Sequence, residues 1–362
     1  MKLRLLALAS VLASLGNTAQ AAGSVNIYNW TDYVAESTVP AFSKATGIKV
    51  NYDVYDSNEI LRAKLMTGQS GYDVVVPSHT TLALGIKAGL FEPLDMSKLP
   101  NARHLDPALL KLLQPFDPGN RYAVPNFWGF NTVGINTRQV QKALGSPLPD
   151  NPWDLIFKPA LLAKLSRCGV SLLDSPGEFF PVALHYYGKN PNSDHLADYQ
   201  AIMPQLMALR PYITRFSSSG YYNEMAGGSL CAAMGYNGDF NFAQMRAREA
   251  GNGVQIQALL PKRGLNVWFD VLAIPKGAPH RDNAHAWINA MLAPQTAAAN
   301  ANHVAYATAV LAARPYVKAA LINNRTIYPG SSDLKDSYVA QPLSATTIQG
   351  YTRLWQQFRS GR

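Results

Sequence analysis

Two cysteines, seven histidines and a charged fraction of only 15% narrow what this 362-residue chain can do. It holds no Gly-x-Ser-x-Gly elbow, no Gly-x-x-x-x-Gly-Lys loop and no His-Glu-x-x-His helix. The usual signatures of α/β-hydrolases, phosphate-loop nucleotidases and zinc peptidases are therefore missing. The histidines are dispersed, and His280 and His285 stand five apart, which does not put both on one helix face. No metal or cofactor is expected, and most histidines should be exposed or capping. No long run of Lys and Arg marks a nucleic-acid surface, so no nucleic-acid partner is expected. Past the N-terminus no apolar stretch is long enough to span a bilayer. Internal repeats and low-complexity linkers are absent from the sequence as well.

What is present begins with an address. Lys2 and Arg4 precede an apolar run from Leu5 to Leu15, and Ala19-Gln20-Ala21 follows. That is the order of a secretory signal, with cleavage expected before Ala22, and the run is too short for an anchor. In an exported product Cys168 and Cys231 most simply form one disulfide across a long loop. A catalytic thiol is the competing reading, without a histidine signature to support it. Apolar residues make up 48% of the chain, and its length suits two domains. The formal charge is +9, of which Lys2 and Arg4 supply two, leaving +7 for the exported part. The cations are scattered, as on a solvated basic surface. Such a protein can still bind a cation where its acids converge, because close, desolvated pairs outweigh distant, screened ones.

The chain reads as alternating strands and helices. Val25 and Ile27 alternate with polar Asn26, a strand pattern, and Asn29-Trp30-Thr31-Asp32-Tyr33 follows it. Ile48–Val54 is a second strand, Asp56-Ser57-Asn58-Glu59 offers cap chemistry for a helix, and Tyr72–Val76 is a third strand before Ser78. This rhythm predicts a mainly parallel sheet with crossover helices, whose ligands bind at the carboxyl ends of strands. Extended, aromatic Arg121–Asn136 reads as a crossing into a second domain, and Val254–Pro261 as a return. Acids recur at or just after strands: Asp32, Glu178, Asp239 and Asp270, accompanied by Trp30, Tyr33, Tyr236 and Trp268. Each alone is more often a helix cap. Four together suggest an acidic, aromatic-lined cleft suited to a cation with apolar length. Paired acids also fit an exported hydrolase. An amino-acid ligand would call for an Arg beside the acids, and none is adjacent in sequence.

The chain resembles the bacterial periplasmic polyamine-binding proteins of ABC importers, most of all their putrescine-binding branch. The likeness is carried by Val-Asn-Ile-Tyr-Asn-Trp-Thr-Asp-Tyr (25–33), Thr-Gly-Ile-Lys-Val (46–50), Tyr-Asp-Val-Tyr-Asp-Ser-Asn-Glu (52–59) and Tyr-Asp-Val-Val-Val-Pro-Ser (72–78). Further carriers are Trp-Asp-Leu-Ile-Phe-Lys-Pro (153–159), Cys-Gly-Val-Ser-Leu-Leu-Asp (168–174), Trp-Phe-Asp-Val (268–271) and His-Val-Ala-Tyr-Ala (303–307). The resemblance implies a two-lobe α/β solute-binding fold (type II) that closes on a polyamine and delivers it to an inner-membrane permease. It implies ligand contacts at Trp30, Thr31, Asp32, Tyr33, Ser78, Glu178, Ser218, Tyr236, Asp239, Trp268, Asp270 and Tyr306, and a Cys168–Cys231 disulfide. Thr31 stands where the family has Ser; Tyr236 and Trp268, for its Trp and Phe, and Trp-Gly-Phe-Asn-Thr (128–132), unlike its usual crossing segment, bear on chain length. The expected lobes are 22–128 with 262–305, and 129–261 with 306–362, after a leader at 1–21. Crossings are expected near 126–136 and 254–262, in a monomer. Asp239 and Asp270 are expected to flank one ammonium, with Glu178 or Asp32 serving the other.

Overall fold

Alternating burial of Val25 and Ile27 makes the first strand of the computed structural model, β1 (Ser24–Trp30). The structure describes residues 23–262 and 264–362, so the expected leader lies outside the described residues. The helix Thr38–Thr46 stops at Gly47, whose φ of 74° a side chain would oppose and whose N–H caps Ser43 O. β2 (Lys49–Tyr55) then returns beside β1, in parallel register from Ser24↔Lys49 to Trp30↔Tyr55. The predicted cap is real: Ser57 Oγ accepts from Ile60 N–H at 3.3 Å and starts the helix Asn58–Leu65.

The remaining strands are β3 (Val74–Val75), β4 (Phe91–Glu92), β5 (Ala123–Asn136), β6 (Val170–Leu172), β7 (Arg215–Phe216), β8 (Ala232–Tyr236), β9 (Ile256–Ala258), β10 (Asn266–Pro275), β11 (Ala307–Thr308) and β12 (Tyr338–Val339). The main path runs β2-β1-β3-β10-β5-β8-β6-β7. Its two ends are parallel, and its middle, β3-β10-β5-β8, is antiparallel. Two apolar cores sit on either side of that middle. One gathers Val25, Ile27, Val74, Phe127, Leu272 and Trp287. The other gathers Val133, Ile135, Leu172, Phe179, Met234 and Trp355. β5 supplies Val124 and Phe127 to the first and Val133 and Ile135 to the second. One strand thus joins two lobes, the two-lobe α/β architecture expected from the sequence.

Within 254–262, β9 pairs with Gly134–Asn136 of β5 on the second lobe, and the chain then enters β10. The return is made by β10. The stretch 306–362 does not belong to one lobe. Tyr306, Val310, Ala313 and Ile327 pack in the first core, while Trp355 and Phe358 pack in the second. β12, paired with Asn266 and Val267, carries the chain over a third time. Between Trp153 and Leu165 the helix is interrupted at Lys158, extended ahead of Pro159, into Asp154–Phe157 and Pro159–Leu165. Of the seven histidines, His79 and His285 are buried, while the other five are exposed or half-buried. His79 bridges Phe269 O and Ala340 O, and His285 Nε2 accepts from Asp95 N–H. Cys168 and Cys231 form the expected disulfide, Cα–Cα 5.5 Å, across 63 residues.

Candidate functional site

The carboxyl ends of β1, β3, β6 and β8 converge on the crossing strands, and a cavity with about 590 Å³ of atom-free space opens there. Of the twelve predicted residues, the cavity wall takes Trp30, Thr31, Tyr33, Ser78, Glu178, Ser218, Tyr236, Asp239, Trp268, Asp270 and Tyr306. Asp32 is left out. Its carboxylate lies at the rim, accepts from Tyr222 Oη at 2.9 Å, and faces Arg246 Nη2 at 3.5 Å.

Local structure explains each placement. Asp270 sits where the β10–β5 register shifts between Phe269 and Val271. Such a bulge re-aims a side chain out of its alternation. Ser78 forms a bridge with Asp270, which ties the end of β3 to the same spot. Tyr33 Oη donates to Asp270 Oδ2 at 2.6 Å. On the second lobe the helix Asn237–Ala250 begins directly after β8 and presents Asp239 in its first turn. Asp239 accepts from Tyr221 Oη at 2.7 Å and Tyr306 Oη at 2.5 Å. Gly238 makes the second approach possible: a Cβ there would stand 2.3 Å from the Tyr306 ring. Glu178 lies in the first turn of the helix Pro176–Tyr186 and accepts from Asn131 Nδ2 at 3.0 Å. The rings form a continuous wall, with Tyr236–Trp268 centroids 5.6 Å apart and Trp268–Tyr306 5.2 Å apart.

The charge balance is one-sided. Asp56, Glu178, Asp239 and Asp270 line the cavity, and no Lys or Arg does among the described residues. Burial pushes the Asp270 carboxyl up to about 8, with repulsion from Glu178 adding to it and the Tyr33 hydrogen bond opposing it. Burial likewise raises Glu178 to about 7 and Asp239 to about 6, against their hydrogen bonds from Asn131 and from the two tyrosines. Tyrosine hydroxyls and one amide satisfy part of each carboxylate but bring no positive charge. Trp30 Nε1, Trp268 Nε1 and Ser218 Oγ are buried without a partner. Three groups of His, Cys, Asp or Glu never gather in a way that would hold a metal among the described residues.

The sequence missed Tyr55, Asp56, Asn58, Ser219 and Tyr222, which also line the cavity. Asp56 and Asn58 were legible only as cap chemistry, and Tyr222 carried no strand-end signal. A second cavity, with about 850 Å³ of atom-free space, shares Asn58, Glu178 and Trp268 with the first. Glu59 and Asn266 line it, and their Oε2 and Oδ1 are buried without partners.

The chain compares closely with known proteins. The putrescine-binding periplasmic protein SpuD of Pseudomonas aeruginosa is 44% identical over 355 residues, covering 98% of this chain and 97% of SpuD. The putrescine-binding periplasmic protein PotF of Escherichia coli is 44% identical over 359 residues, covering 99% and 97%. A solved structure from Listeria monocytogenes, described as a putative spermidine/putrescine ABC transporter, superposes with a TM-score of 0.83 at 31% identity. It covers 94% of this chain and 99% of its own. The profile of the bacterial extracellular solute-binding proteins matches residues 37–324, and the chain belongs to that family.

Proposed function

We propose that the protein is the periplasmic substrate-binding component of a polyamine ABC importer. It takes putrescine or a related di- or polyamine between its lobes and delivers it to the membrane permease. It is a binding protein, not an enzyme, and works as a monomer. The observation that carries this reading is the cavity wall: carboxylates from both lobes, aromatic rings between them and no cation among the described lining residues. Buried carboxylates that lack cations are costly. A ligand with an ammonium at each end and methylenes between supplies the missing charges and covers the rings. The relatives described as putrescine-binding support the same ligand class.

Asp239 and Asp270, each anchored by tyrosine, flank one ammonium, and Glu178 serves the other. Thr31, Ser78 and Ser218 add hydrogen bonds. Asp32 is not available to the ligand because Tyr222 and Arg246 already hold it. The adjoining cavity offers acceptors at Glu59 and Asn266 for a chain longer than a diamine. Lobe 1 is 23–128 with 265–328, and lobe 2 is 129–261 with the C-terminal helix Ala345–Ser360. Closure removes water from the acid–ammonium pairs and strengthens them, so occupancy decides which conformation the permease meets. Calorimetry of the mature protein with putrescine, cadaverine, agmatine and spermidine tests the reading. Heat with at least one amine is expected. No heat with any of them, in folded protein, would overturn it.

A further inference from the structure

Asp32 is the one strand-end acid that the ligand cavity leaves out, and its partners come from the opposite lobe. Asp32 follows β1 with φ 54°, a left-handed turn that directs the chain over the cavity rim. Tyr222 lies on the helix Tyr221–Gly227, and Arg246 on the helix Asn237–Ala250, both built on the second lobe. The Arg246 guanidinium sits 4.3 Å from the centroid of the Phe242 ring and 5.9 Å from that of Tyr222. Its Nη1 also donates to Asn223. These contacts fix the cation before it meets Asp32 and lower the entropy lost in forming the pair. A weaker contact repeats the arrangement at the same mouth, where Ser219 Oγ lies 3.4 Å from Asp56 Oδ2. Phe242 continues the lobe–lobe contact onto His303, at 5.8 Å between ring centroids.

We propose that Asp32 and Arg246 form a latch that holds the two lobes closed from outside the ligand cavity and sets how fast the ligand leaves, with Tyr222, on the cavity wall, donating to Asp32 beside them. Asp32 and Arg246 are positioning residues: neither lines the cavity, so neither touches a ligand inside it. The latch separates two tasks that the run Trp30-Thr31-Asp32-Tyr33 performs side by side. Trp30, Thr31 and Tyr33 face the cavity, while Asp32 faces the other lobe. Both latch side chains are about two-fifths exposed. The pair is therefore open to salt, and weakening it should speed dissociation rather than slow association.

This inference rests on the polyamine-binding reading, and the test separates the two. Putrescine association and release are followed by stopped-flow tryptophan fluorescence for wild type, Arg246→Ala, Asp32→Asn and the double variant. The expected result is a koff raised roughly tenfold in each single variant, with kon within about twofold. The double variant should be no faster than either single one, because one interaction is lost in all three. Arg246→Lys should recover part of the slow release. Raising salt should speed release from wild type and leave Arg246→Ala nearly unchanged. Unchanged koff in the single variants, or effects that multiply in the double variant, would overturn the latch. If wild type binds no amine at all, the ligand reading fails and small-angle scattering of the protein alone decides on the latch. Arg246→Ala must then be more expanded than wild type, and identical profiles would refute it.

Discussion

Lowering the pH should release the ligand, and the structure sets how steeply. Asp270 and Glu178 have carboxyls near 8 and 7 in the protein alone, both raised chiefly by burial. At pH 7 the first is about nine-tenths protonated and the second about half. A diammonium ligand needs both ionised, together with Asp239, which is raised to about 6 and mostly ionised already at pH 7, so binding at pH 7 expels roughly 1.5 protons into buffer. Between pH 7 and 6 that number rises above two, and affinity falls on the order of 10- to 100-fold, or about 1.4–2.7 kcal/mol. The ligand contributes little to the slope, because alkylammonium groups stay charged well above this range. Stability of the protein alone has the opposite sign. A carboxyl raised above its unfolded value holds more protons when folded, so stability is lost as pH rises through the window from about 4 to 8. Ligand-free protein should therefore melt higher at pH 5 than at pH 8, and putrescine should reverse the order. Calorimetry at pH 7 in buffers of different ionisation heat counts the protons directly. Equal heats in those buffers, with flat affinity from pH 8 to 6, would refute the reasoning.

Other consequences follow from single residues. Asp239→Asn leaves a buried ammonium without its carboxylate and should cost about 3–5 kcal/mol of binding, whereas Lys49→Ala, on the exposed face of β2, should change nothing; equal losses in titration would show that Asp239 does not touch the ligand. Gly238→Ala puts a methyl into the Tyr306 ring, so it should swing Tyr306 off Asp239 and weaken putrescine binding more than it lowers the melting temperature. Replacing Cys168 and Cys231 by Ser frees a 63-residue loop and should lower stability by about 4 kcal/mol in denaturant unfolding, with little effect on affinity, since the bond lies away from the cavity.

The sheet's parallel ends were legible because β1, β2 and their helices carry local signals: alternation at Val25 and Ile27, the Ser57 cap and the Gly47 stop. The middle was not. β10 is buried at all ten positions and shows no alternation that would reveal an antiparallel partner on each side. The split of 306–362 between lobes depends on β12, only two residues long, and on contacts such as Asn192 Nδ2 to Val339 O that no local pattern announces. Eleven of the twelve expected residues line the cavity, and both their places near strand ends and the family resemblance pointed to them. The bulge that aims Asp270 into the cavity depends on register with β5, a relation between distant segments that spacing within β10 does not encode.

Asp32 shows where strand-end logic stops. Position gives four acids the same grade, but their partners divide them into two kinds. Asp239, Asp270 and Glu178 are met only by neutral donors: two tyrosines, one tyrosine and one amide respectively. Asp32 alone among them is met by a protein cation. A carboxylate that already has a cation gains little from a second, so it cannot serve as a strong ammonium site. Carboxylates without one hold protons until a ligand cation replaces them. The same lack of protein cations that makes the cavity costly to keep ionised makes it selective for a cationic guest. Placing Arg246 at the rim keeps it from neutralising the cavity while still letting it join the lobes. Moving that charge inward should therefore abolish the site: Ser218→Arg, on the cavity wall, should bind no diamine, and its carboxyls should titrate lower, nearer the ordinary carboxylate range. Proton-release calorimetry and carboxyl titration by NMR would check this. Retained putrescine affinity in that variant, with the arginine shown to lie in the cavity, would mean that absence of cations is not what makes the wall a cation site.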